Sequence, residues 1–304
     1  MNMIVDFAKV FRNEKLESMH YGIACHLQGQ ELNKSWGDIN FKSFTRSMIK
    51  PIQAKVCLDL INQEINNEFV AIAIASHNCE TEQVNLVNKL ATYFNLSEHQ
   101  LKLGLEKNKK QVLQSKFDHN CSGKHLLMLS TCIGQNWDLD NYLAREHPLQ
   151  EAIENEVKEL LGLKSPLEIG IDGCGLPTYH LSIHEIALLF ARLHERQDYQ
   201  RIFEVMNQYP FIIGGHKQID SLIMQTYPGK FIAKGGAEGF MMLMKLDSQE
   251  TLIIKIIDGS HRAKAVVARG FAEKLGWIEK NSIEIDNGSY NSQGLRVGEI
   301  SFSL

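Results

Sequence analysis

The chain has 304 residues, of which 44% are hydrophobic and 22% charged, with a formal net charge of -4 at pH 7. This length fits one or two packed domains around a sizeable core, and the composition is that of an ordinary globular protein. The basic residues are scattered, without the basic and aromatic clusters of a nucleic-acid groove, so we expect no nucleic-acid partner.

The sequence predicts neither a membrane span nor a secretory signal. Charged residues interrupt the N-terminal segment, and apolar runs such as 69–75 are strand-sized, far below the ~18 residues of a membrane helix. A chain of this length does not need disulfide staples, so we expect reduced thiols and a cytoplasmic protein. The cysteines are at positions 25, 57, 79, 121, 132 and 174.

The N-terminal part of the chain predicts a strand pair followed by a helix. Polar and apolar residues alternate over 17–36 on either side of a turn at 28–30. Apolar residues then recur at helical spacing from Ser47 to about Gln63, with Pro51 tolerable only near the first turn. Ser47 is therefore expected at the start of a helix.

The middle of the chain is mostly helical by the same criterion. Helices are predicted at 82–94, at 147–161 and at 183–195. The last of these opens with a capping box formed by Ser182 and Glu185.

The pattern changes to strands after Pro228 and Gly229. Three apolar stretches follow, at 231–234, 239–246 and 251–258, and a polar turn at 247–249 joins the last two. A helix at about 261–275 and a short terminal strand over 295–304 complete the chain.

The order sheet, helices, sheet predicts an α+β fold in which N-terminal and C-terminal segments build one antiparallel sheet around an inserted helical region. Regular alternation of strand and helix is absent, which disfavours a Rossmann-type parallel sheet. We expect a sheet lobe formed by 1–42 and 228–304 and a mainly helical lobe formed by 43–227.

The first candidate for chemistry is Ser47 with Lys50, which form the one S-x-x-K in the sequence. On a helix these two side chains share a face, and a lysine made neutral by burial or by a second cation can activate a serine hydroxyl. The alternative is a helix-capping serine beside a solvated lysine.

Enzymes that use S-x-x-K also have a second serine and a late strand resembling K-T-G. Here Lys234, Gly235 and Gly236 lie on a predicted late strand, where the glycines would let a substrate lie along the strand. Ser76 follows the apolar run 69–75, at the end of a strand or a helix. The alternatives are a lysine before a tight turn and a capping serine.

A second candidate site contains Cys121 and Cys174, which both lie in glycine-rich polar loops rather than in apolar stripes. Zinc prefers thiolate and nitrogen ligands, although the chain contains no C-x-x-C. From spacing alone, a zinc site and two free thiols both remain open. The nitrogen donors nearby are those of His77, His119, Lys124 and His125.

Seven segments, taken together and in order, resemble the rhizobial-type L-asparaginases, often called the asparaginase II family, which share the fold of serine β-lactamases. The resemblance covers most of the chain. The segments are ESMHYG at 17–22, FTRSMIKPIQA at 44–54, ASHNCE at 75–80, NCSGKH at 120–125, DGCGLP at 172–177, AKGGAEG at 233–239 and DGSHRA at 258–263.

The resemblance implies hydrolysis of L-asparagine to L-aspartate and ammonia through an acyl-enzyme, and a homodimer. It implies that Ser47 is the nucleophile with Lys50 as its partner, and that Ser76 and Lys234 form a second pair for proton transfer. An oxyanion hole would use the backbone N–H of Ser47 and one from the strand around Gly236.

The resemblance also implies a zinc ion held by Cys121, Lys124 and Cys174, with water completing the tetrahedron. Asp172 and His125 would then lie where the amino and carboxylate groups of the substrate are recognised. We expect the zinc to orient substrate rather than to activate water. Arg46, just before the nucleophile, is assigned to substrate binding, with a structural salt bridge as the alternative.

The chain departs from the family pattern at Cys79, where glycine is usual, and at Leu126 and Leu127, where small residues are common. Because the nucleophile, both lysines, the second serine and the three metal ligands are present, we expect an active enzyme. The alternatives are a glutaminase, a penicillin-recognising enzyme and a non-catalytic zinc or amino-acid binding module.

Overall fold

The structure is a computed structural model that describes residues 3–105, 107–108, 111–112 and 114–304. The chain divides into two compact units. The sheet unit comprises Met1–Ser43, Leu181–His194 and His216–Leu304, and the helical unit comprises Phe44–His180 and Glu195–Gly215. In the described residues, no helix is long and apolar enough to cross a membrane.

Strands and helices alternate in blocks along the described chain. The strands are β1 (Val5–Arg12), β2 (Lys15–Gln28), β3 (Glu31–Trp36), β4 (Lys42–Phe44), β5 (Lys107–Asn108), β6 (Gln111–Val112), β7 (Ile169–Ile171), β8 (Pro177–Ser182), β9 (Phe231–Gly235), β10 (Phe240–Lys245), β11 (Glu250–Ile256), β12 (Gly288–Tyr290) and β13 (Arg296–Phe302). The α-helices are α1 (Lys50–Leu60), α2 (Asn67–Ile74), α3 (Thr81–Tyr93), α4 (Ser122–Gln135), α5 (Pro148–Leu161), α6 (Ile183–Ala191), α7 (Gln200–Gln208), α8 (Pro210–Gly214), α9 (Ile219–Thr226) and α10 (Lys264–Lys274). Short 3-10 helices are Arg46–Ile49, Lys116–Asp118, Arg192–Glu195 and Gln197–Tyr199.

The main sheet of the sheet unit has eight strands in the order β12-β13-β1-β2-β11-β10-β9, with β3 also paired to β2. The pairs are antiparallel. Strands from both ends of the chain therefore form one sheet, and most of the helices lie between β4 and β9 in sequence. The predicted α+β fold class is confirmed. A three-stranded sheet has the order β4-β8-β7, and β5 pairs with β6.

The predicted hairpins and their turns are confirmed. Gln28 pairs with Glu31 across a turn in which Gly29 has a φ of 56°, the left-handed region that favours glycine. Lys245 pairs with Glu250 across the predicted polar turn. The sequence did not predict β1, because charged residues interrupt its apolar pattern.

Two helices that we assigned to the helical lobe belong to the sheet unit. Helix α6 packs against β2 and β11, and α9 packs against β9. Because each helix covers apolar strand positions with its own apolar side, the segments 181–194 and 216–227 lie with the sheet. The lobe boundaries drawn from the sequence are corrected accordingly.

The three predicted central helices correspond to α3, α5 and α6, and the helix 183–195 finishes as a 3-10 turn. Its capping box is present: the N–H of Glu185 donates to Ser182 Oγ at 3.1 Å, and the N–H of Ser182 donates to Glu185 Oε2 at 2.7 Å.

The apolar run 69–75, which is strand-sized in the sequence, lies in helix α2 except for Ala75, the residue that follows the last helical turn. The side chain of Asn66 caps this helix by accepting from the N–H of Phe69 at 2.9 Å. Helices α1, α3, α4 and α7 contact α2 on several sides. A helix enclosed in this way is apolar all round and shows no amphipathic period.

Helix α4 is the main element that the sequence did not predict. We expected a glycine-rich polar loop around Cys121, but Cys121 is the N-cap residue of α4. A Cβ on Gly123 would lie 2.2 Å from the carbonyl oxygen of Ile72, so glycine permits the close approach of α4 to α2. This glycine marks a packing contact rather than a loop.

A charged network stabilises the helical unit beside α1. Lys55 Nζ lies 2.8 Å from both Asp59 Oδ2 and Asp198 Oδ2, and Arg196 Nη2 lies 2.6 Å from Asp198 Oδ2. The hydrogen bond from Arg196 holds the pKa of Asp198 well below its usual range, with Lys55 adding to this effect against partial burial.

Asp198→Asn is expected to lower the free energy of unfolding by about 1 kcal/mol at pH 7. Because the pKa of Asp198 is lowered by folding, its stabilisation is complete above the ordinary aspartate pKa of about 4 and is lost as the pH falls through the folded value. Thermal unfolding at pH 7 and at pH 3 measures this. The difference between the variant and the wild type should be smaller at pH 3 than at pH 7 but still present, because pH 3 lies above the folded-state pKa of Asp198; an equal difference at both pH values would contradict the assignment.

Candidate active site

Ser47 lies in the 3-10 helix Arg46–Ile49 that leads directly into α1. Pro51 occupies the first turn of α1, and the helix ends at Leu60, three residues before the predicted Gln63. Ser47 is buried, with 9% of its surface exposed. The expectation that Ser47 stands at a helix start is confirmed.

Arg46, just before Ser47, has a φ of 49°, a left-handed conformation that costs a non-glycine residue about 1 kcal/mol or more. Two contacts hold it there. Its N–H donates to Thr178 Oγ1 at 3.2 Å, and its Nε donates to Asp172 Oδ1 at 2.7 Å. The salt bridge that we considered for Arg46 is thus present, and its partner is the aspartate assigned to the substrate.

Lys50 is completely buried at the start of α1. Its Nζ donates to Ala75 O at 2.6 Å, to Ser76 Oγ at 3.0 Å and to Asn120 O at 3.3 Å. Burial lowers the pKa of Lys50, while the nearby Cys121 thiolate opposes this effect. A buried lysine with a lowered pKa can accept a proton.

The structure therefore pairs Lys50 with Ser76 directly. Ser76 follows the C-terminal end of α2, and its N–H donates to Ile213 O at 3.0 Å. Within the described residues, no hydrogen bond joins Ser47 Oγ to Lys50 Nζ, although the two residues are one turn apart at the start of the same helix.

Cys121, Lys124 and Cys174 form a buried cluster in the helical unit, each 4% exposed. Cys174 lies in the turn between β7 and β8, and Cys121 and Lys124 lie at the start of α4. Cys121, Cys174 and Lys124 shift one another's pKa values, and Cys121 also affects the pKa of Lys50, so the four side chains lie close together. The structure brings together the three residues that the resemblance groups, and their binding of zinc stays a prediction.

The charges of this cluster favour a thiolate. The hydrogen bond with Cys174 lowers the pKa of Cys121 well below its usual value, and the same bond raises the pKa of Cys174. Burial lowers the pKa of Lys124, but the adjacent Cys174 and Cys121 raise it by more. Cys121 and Cys174 therefore share one negative charge, as a pair of one thiolate and one thiol. This pair lies beside the amines of Lys124 and Lys50.

The donors of this cluster fit a zinc ion. Two sulfur atoms and one amine nitrogen converge in a buried place, and zinc prefers such ligands. Asp172 Oδ2 lies 3.8 Å from Cys174 Sγ. In the part of the chain that the structure describes, no group of three or more His, Cys, Asp or Glu side chains could hold a metal ion, so a zinc site here would need Lys124 as its third protein ligand.

Lys234 and Gly236 lie in the sheet unit, at the end of β9. Lys234 is completely buried, and its Nζ lies 3.2 Å from Gly235 O and 4.0 Å from Asp220 Oδ2. The N–H groups of Gly235 and Gly236 donate to Asp220 Oδ2 and to Phe240 O, at 2.9 and 3.0 Å. Both of these N–H groups are already used by acceptors within the protein. An oxyanion hole that used this segment would therefore need a different backbone N–H.

Sequence reasoning missed Asp220 on α9 and Lys264 on α10. Both are buried, and a Cβ on Gly235 would lie 3.3 Å from Asp220 Oδ2 and 3.0 Å from Lys264 Nζ. Burial lowers the pKa of Lys264, and the negative charge of Asp220 opposes this effect. Neither residue belongs to a recognised motif. The one available signal was Gly235, next to Lys234, because a glycine on a buried strand indicates that another group approaches the backbone closely.

Two motif segments without an assigned role meet in the sheet unit. His20 Nδ1 lies 2.6 Å from Asp258 Oδ2, and Arg262 Nε donates to His20 Nε2 at 2.8 Å. Arg262 also donates to Ser18 Oγ at 2.9 Å. Since Nε2 accepts, the proton of His20 is on Nδ1, and the contacts join β2 to the segment before α10.

A family model describes nearly the whole chain. The match is to L-asparaginase II, over residues 8–302. The chain belongs to the L-asparaginase II family. Membership supports an amidohydrolase with asparaginase activity in general. The comparison with curated proteins gives no significant match.

Solved structures similar to the chain include a β-lactamase from Mycobacterium bovis, with 12% identity over 83% of this chain and 94% of that one and a TM-score of 0.44. A DD-transpeptidase mutant from Streptomyces K15 has 11% identity over 84% of this chain and 97% of that one, with a TM-score of 0.43. Because these TM-scores are low, the fold class rests on the strand order and inserted helices of the chain itself.

Proposed function

We propose that this protein hydrolyses L-asparagine to L-aspartate and ammonia through an acyl-enzyme on Ser47. The observation that carries the proposal is Lys50, a fully buried lysine one turn after Ser47, with Nζ 3.0 Å from Ser76 Oγ. A buried amine that contacts one serine and lies one helical turn from another can take a proton from one hydroxyl and pass it to the other.

The reaction would proceed in two stages. Neutral Lys50 takes the proton of Ser47 as Oγ attacks the side-chain amide carbon of asparagine, and ammonia leaves with a proton delivered through Ser76. Water then attacks the aspartyl ester with the same groups acting as bases, and aspartate leaves. Lys234 is proposed as the second lysine that supplies charge and protons to Ser76.

We propose a zinc ion at Cys121, Lys124 and Cys174, which would orient the substrate rather than activate water. The chain's own residues do the remaining work. Asp172, held by Arg46 at 2.7 Å, accepts from the amino group of the substrate, and His125 faces its carboxylate. In this proposal the metal would hold the turn that carries Asp172 against the start of α4, which carries His125, and Ser47 performs the attack.

The zinc proposal predicts about one zinc per chain by elemental analysis. Cys121→Ser and Cys174→Ser should each lose the metal, with KM rising more than kcat falls, because substrate orientation is weakened. Cys132→Ser is the matched control: Cys132 is a buried thiol on α4 whose pKa burial raises to about 12. Metal-free protein with full affinity for asparagine would refute the orienting role.

Lys234→Met is expected to lower kcat by about 10² to 10⁴, the usual range for a lost proton-transfer group. Lys255→Met is the control, because Lys255 is another buried lysine of the same sheet and donates to Glu238 O and Ile256 O at 2.6 Å. It should reduce thermal stability while kcat stays near the wild-type value. A near-normal rate in Lys234→Met would make Lys234 structural.

An ammonia assay with purified protein tests the function itself. The expected result is release of ammonia from L-asparagine with a higher kcat/KM than from L-glutamine. Faster release from glutamine would make the protein a glutaminase on the same site. Saturable binding of asparagine without ammonia release would make it a binding module, and covalent labelling of Ser47 by a β-lactam would favour a penicillin-recognising enzyme.

We also propose that the protein forms a homodimer. Light scattering measures its mass in solution and tests this proposal.

A further inference from the structure

Two buried threonines, Thr45 and Thr178, join the chain just before Ser47 to strand β8. The N–H of Arg46 donates to Thr178 Oγ1 at 3.2 Å, and the N–H of Tyr179 donates to Thr45 Oγ1 at 3.4 Å. Each hydroxyl oxygen therefore accepts from the residue that follows the other threonine. The two hydroxyl oxygens lie 3.4 Å apart, so this reciprocal pair fixes the two segments to each other.

The backbone of Arg46 depends on such contacts, because its φ of 49° is in the left-handed region. A residue with a Cβ disfavours this region and stays there only when its surroundings hold it. The N–H of Arg46 is the group that accepts no substitute for Thr178 Oγ1 in the folded chain. Without this acceptor, Arg46 would relax toward a negative φ, and Ser47, the next residue, would turn with it.

The direction in which Ser47 points decides how fast it can attack. Ser47 follows Arg46 directly, in the 3-10 helix Arg46–Ile49. The proposed reaction needs Ser47 Oγ aimed at the amide carbon, and the backbone N–H of Ser47 is the expected oxyanion donor. A displacement of about 1 Å in a reacting group can cost about 10²-fold in rate. A small rotation at Arg46 would therefore slow the attack without removing any group that contacts the substrate.

We infer that Thr178 is a positioning residue, whose hydroxyl holds Arg46 in its left-handed conformation and so aims Ser47 at the substrate. Thr178 acts through the backbone of Arg46. Thr45 completes the pair, because one of the two hydroxyl hydrogens can point to the oxygen of the other threonine. The inference rests on the proposed acyl-enzyme function.

Thr178→Val keeps the shape of the side chain and removes the hydroxyl. We expect kcat for L-asparagine to fall by about 10- to 100-fold, whereas the same substitution in the Ser47→Ala protein should change asparagine binding by less than about threefold. Thr178→Ser keeps the hydroxyl and should stay within about threefold of the wild-type kcat. Thr131→Val is the matched control, because Thr131 is fully buried on α4 and its hydroxyl donates to Leu127 O at 2.9 Å. Its kcat should stay near the wild-type value.

Two substitutions of Arg46 separate positioning from a general loss of stability. Arg46→Ala and Arg46→Gly both remove the contact with Asp172, and they differ by the one methyl group that makes a left-handed φ costly. Adding Thr178→Val should lower kcat by about 10- to 100-fold in the Arg46→Ala protein. In the Arg46→Gly protein it should lower kcat by less than about threefold, because glycine adopts this conformation without a contact to hold it.

Equal losses of kcat in the alanine and glycine backgrounds would overturn the inference, and so would a near-normal kcat in Thr178→Val. Acylation of Ser47 by p-nitrophenyl acetate, followed by mass spectrometry, gives the same comparison without asparagine. A failure of the proposed function looks different: the wild type would release no ammonia, while Thr178→Val would still slow the acylation of Ser47. A wild type in which Ser47 reacts with neither compound would overturn both proposals.

Discussion

Ser47→Ala is expected to abolish ammonia release from L-asparagine, by about 10⁴-fold or more in kcat, while the substrate still binds. The hydroxyl is the proposed attacking group, and its removal deletes the covalent path. Recognition is assigned to Asp172 and His125, which this substitution leaves in place. Ammonia release and calorimetric binding of asparagine measure the two effects separately.

A serine on the same unit but outside the site controls for this substitution. Ser130 is buried on α4, and its hydroxyl donates to Leu127 O at 2.8 Å. Ser130→Ala should leave kcat near the wild-type value. If Ser47→Ala released ammonia at a comparable rate, Ser47 would be a bystander and another group, such as a metal-bound water, would be the attacker.

Lys50→Met is expected to lower kcat by about 10² to 10⁴ or more, because it removes the proposed base and its bond to Ser76 Oγ. It also leaves Ala75 O and Asn120 O without this donor, so the protein should lose some stability. Thermal unfolding, measured with kcat, separates the two losses.

Lys55→Met is the matched control on the same helix. Lys55 is also buried on α1, but its charge pairs with Asp59 and Asp198. Its loss should destabilise the protein while the activity per folded molecule stays near the wild-type value. Equal losses of kcat in Lys50→Met and Lys55→Met would show that the effect is structural.

The fold class could be predicted because the sheet is built from local signals. The hairpin of β2 and β3 and that of β10 and β11 each have a polar turn between alternating or apolar strands. Helices α2 and α4 escaped prediction because burial on several sides removed the polar face of α2, and because Gly123 imitates a loop while serving a close helix contact. Tertiary packing set these two elements.

The site was predictable to a different degree in its two parts. Ser47 and Lys50 are one turn apart, so their common location follows from the helical period. Cys121 and Cys174 are distant in sequence, so their shared polar, glycine-rich context only suggested a common site, and the family resemblance was needed to add Lys124. For Asp220 and Lys264 the one sequence signal was the neighbouring Gly235, because buried partners of a site are defined by contacts that the chain makes only after folding.

Mass spectrometry of acid-quenched enzyme, taken during the first turnover of L-asparagine, tests the central proposal most directly. The account predicts a transient aspartyl ester on the peptide that contains Ser47, formed as ammonia is released and absent from Ser47→Ala. Aspartate accumulating while Ser47 remains unmodified at every time, or an ester on a different residue, would contradict it.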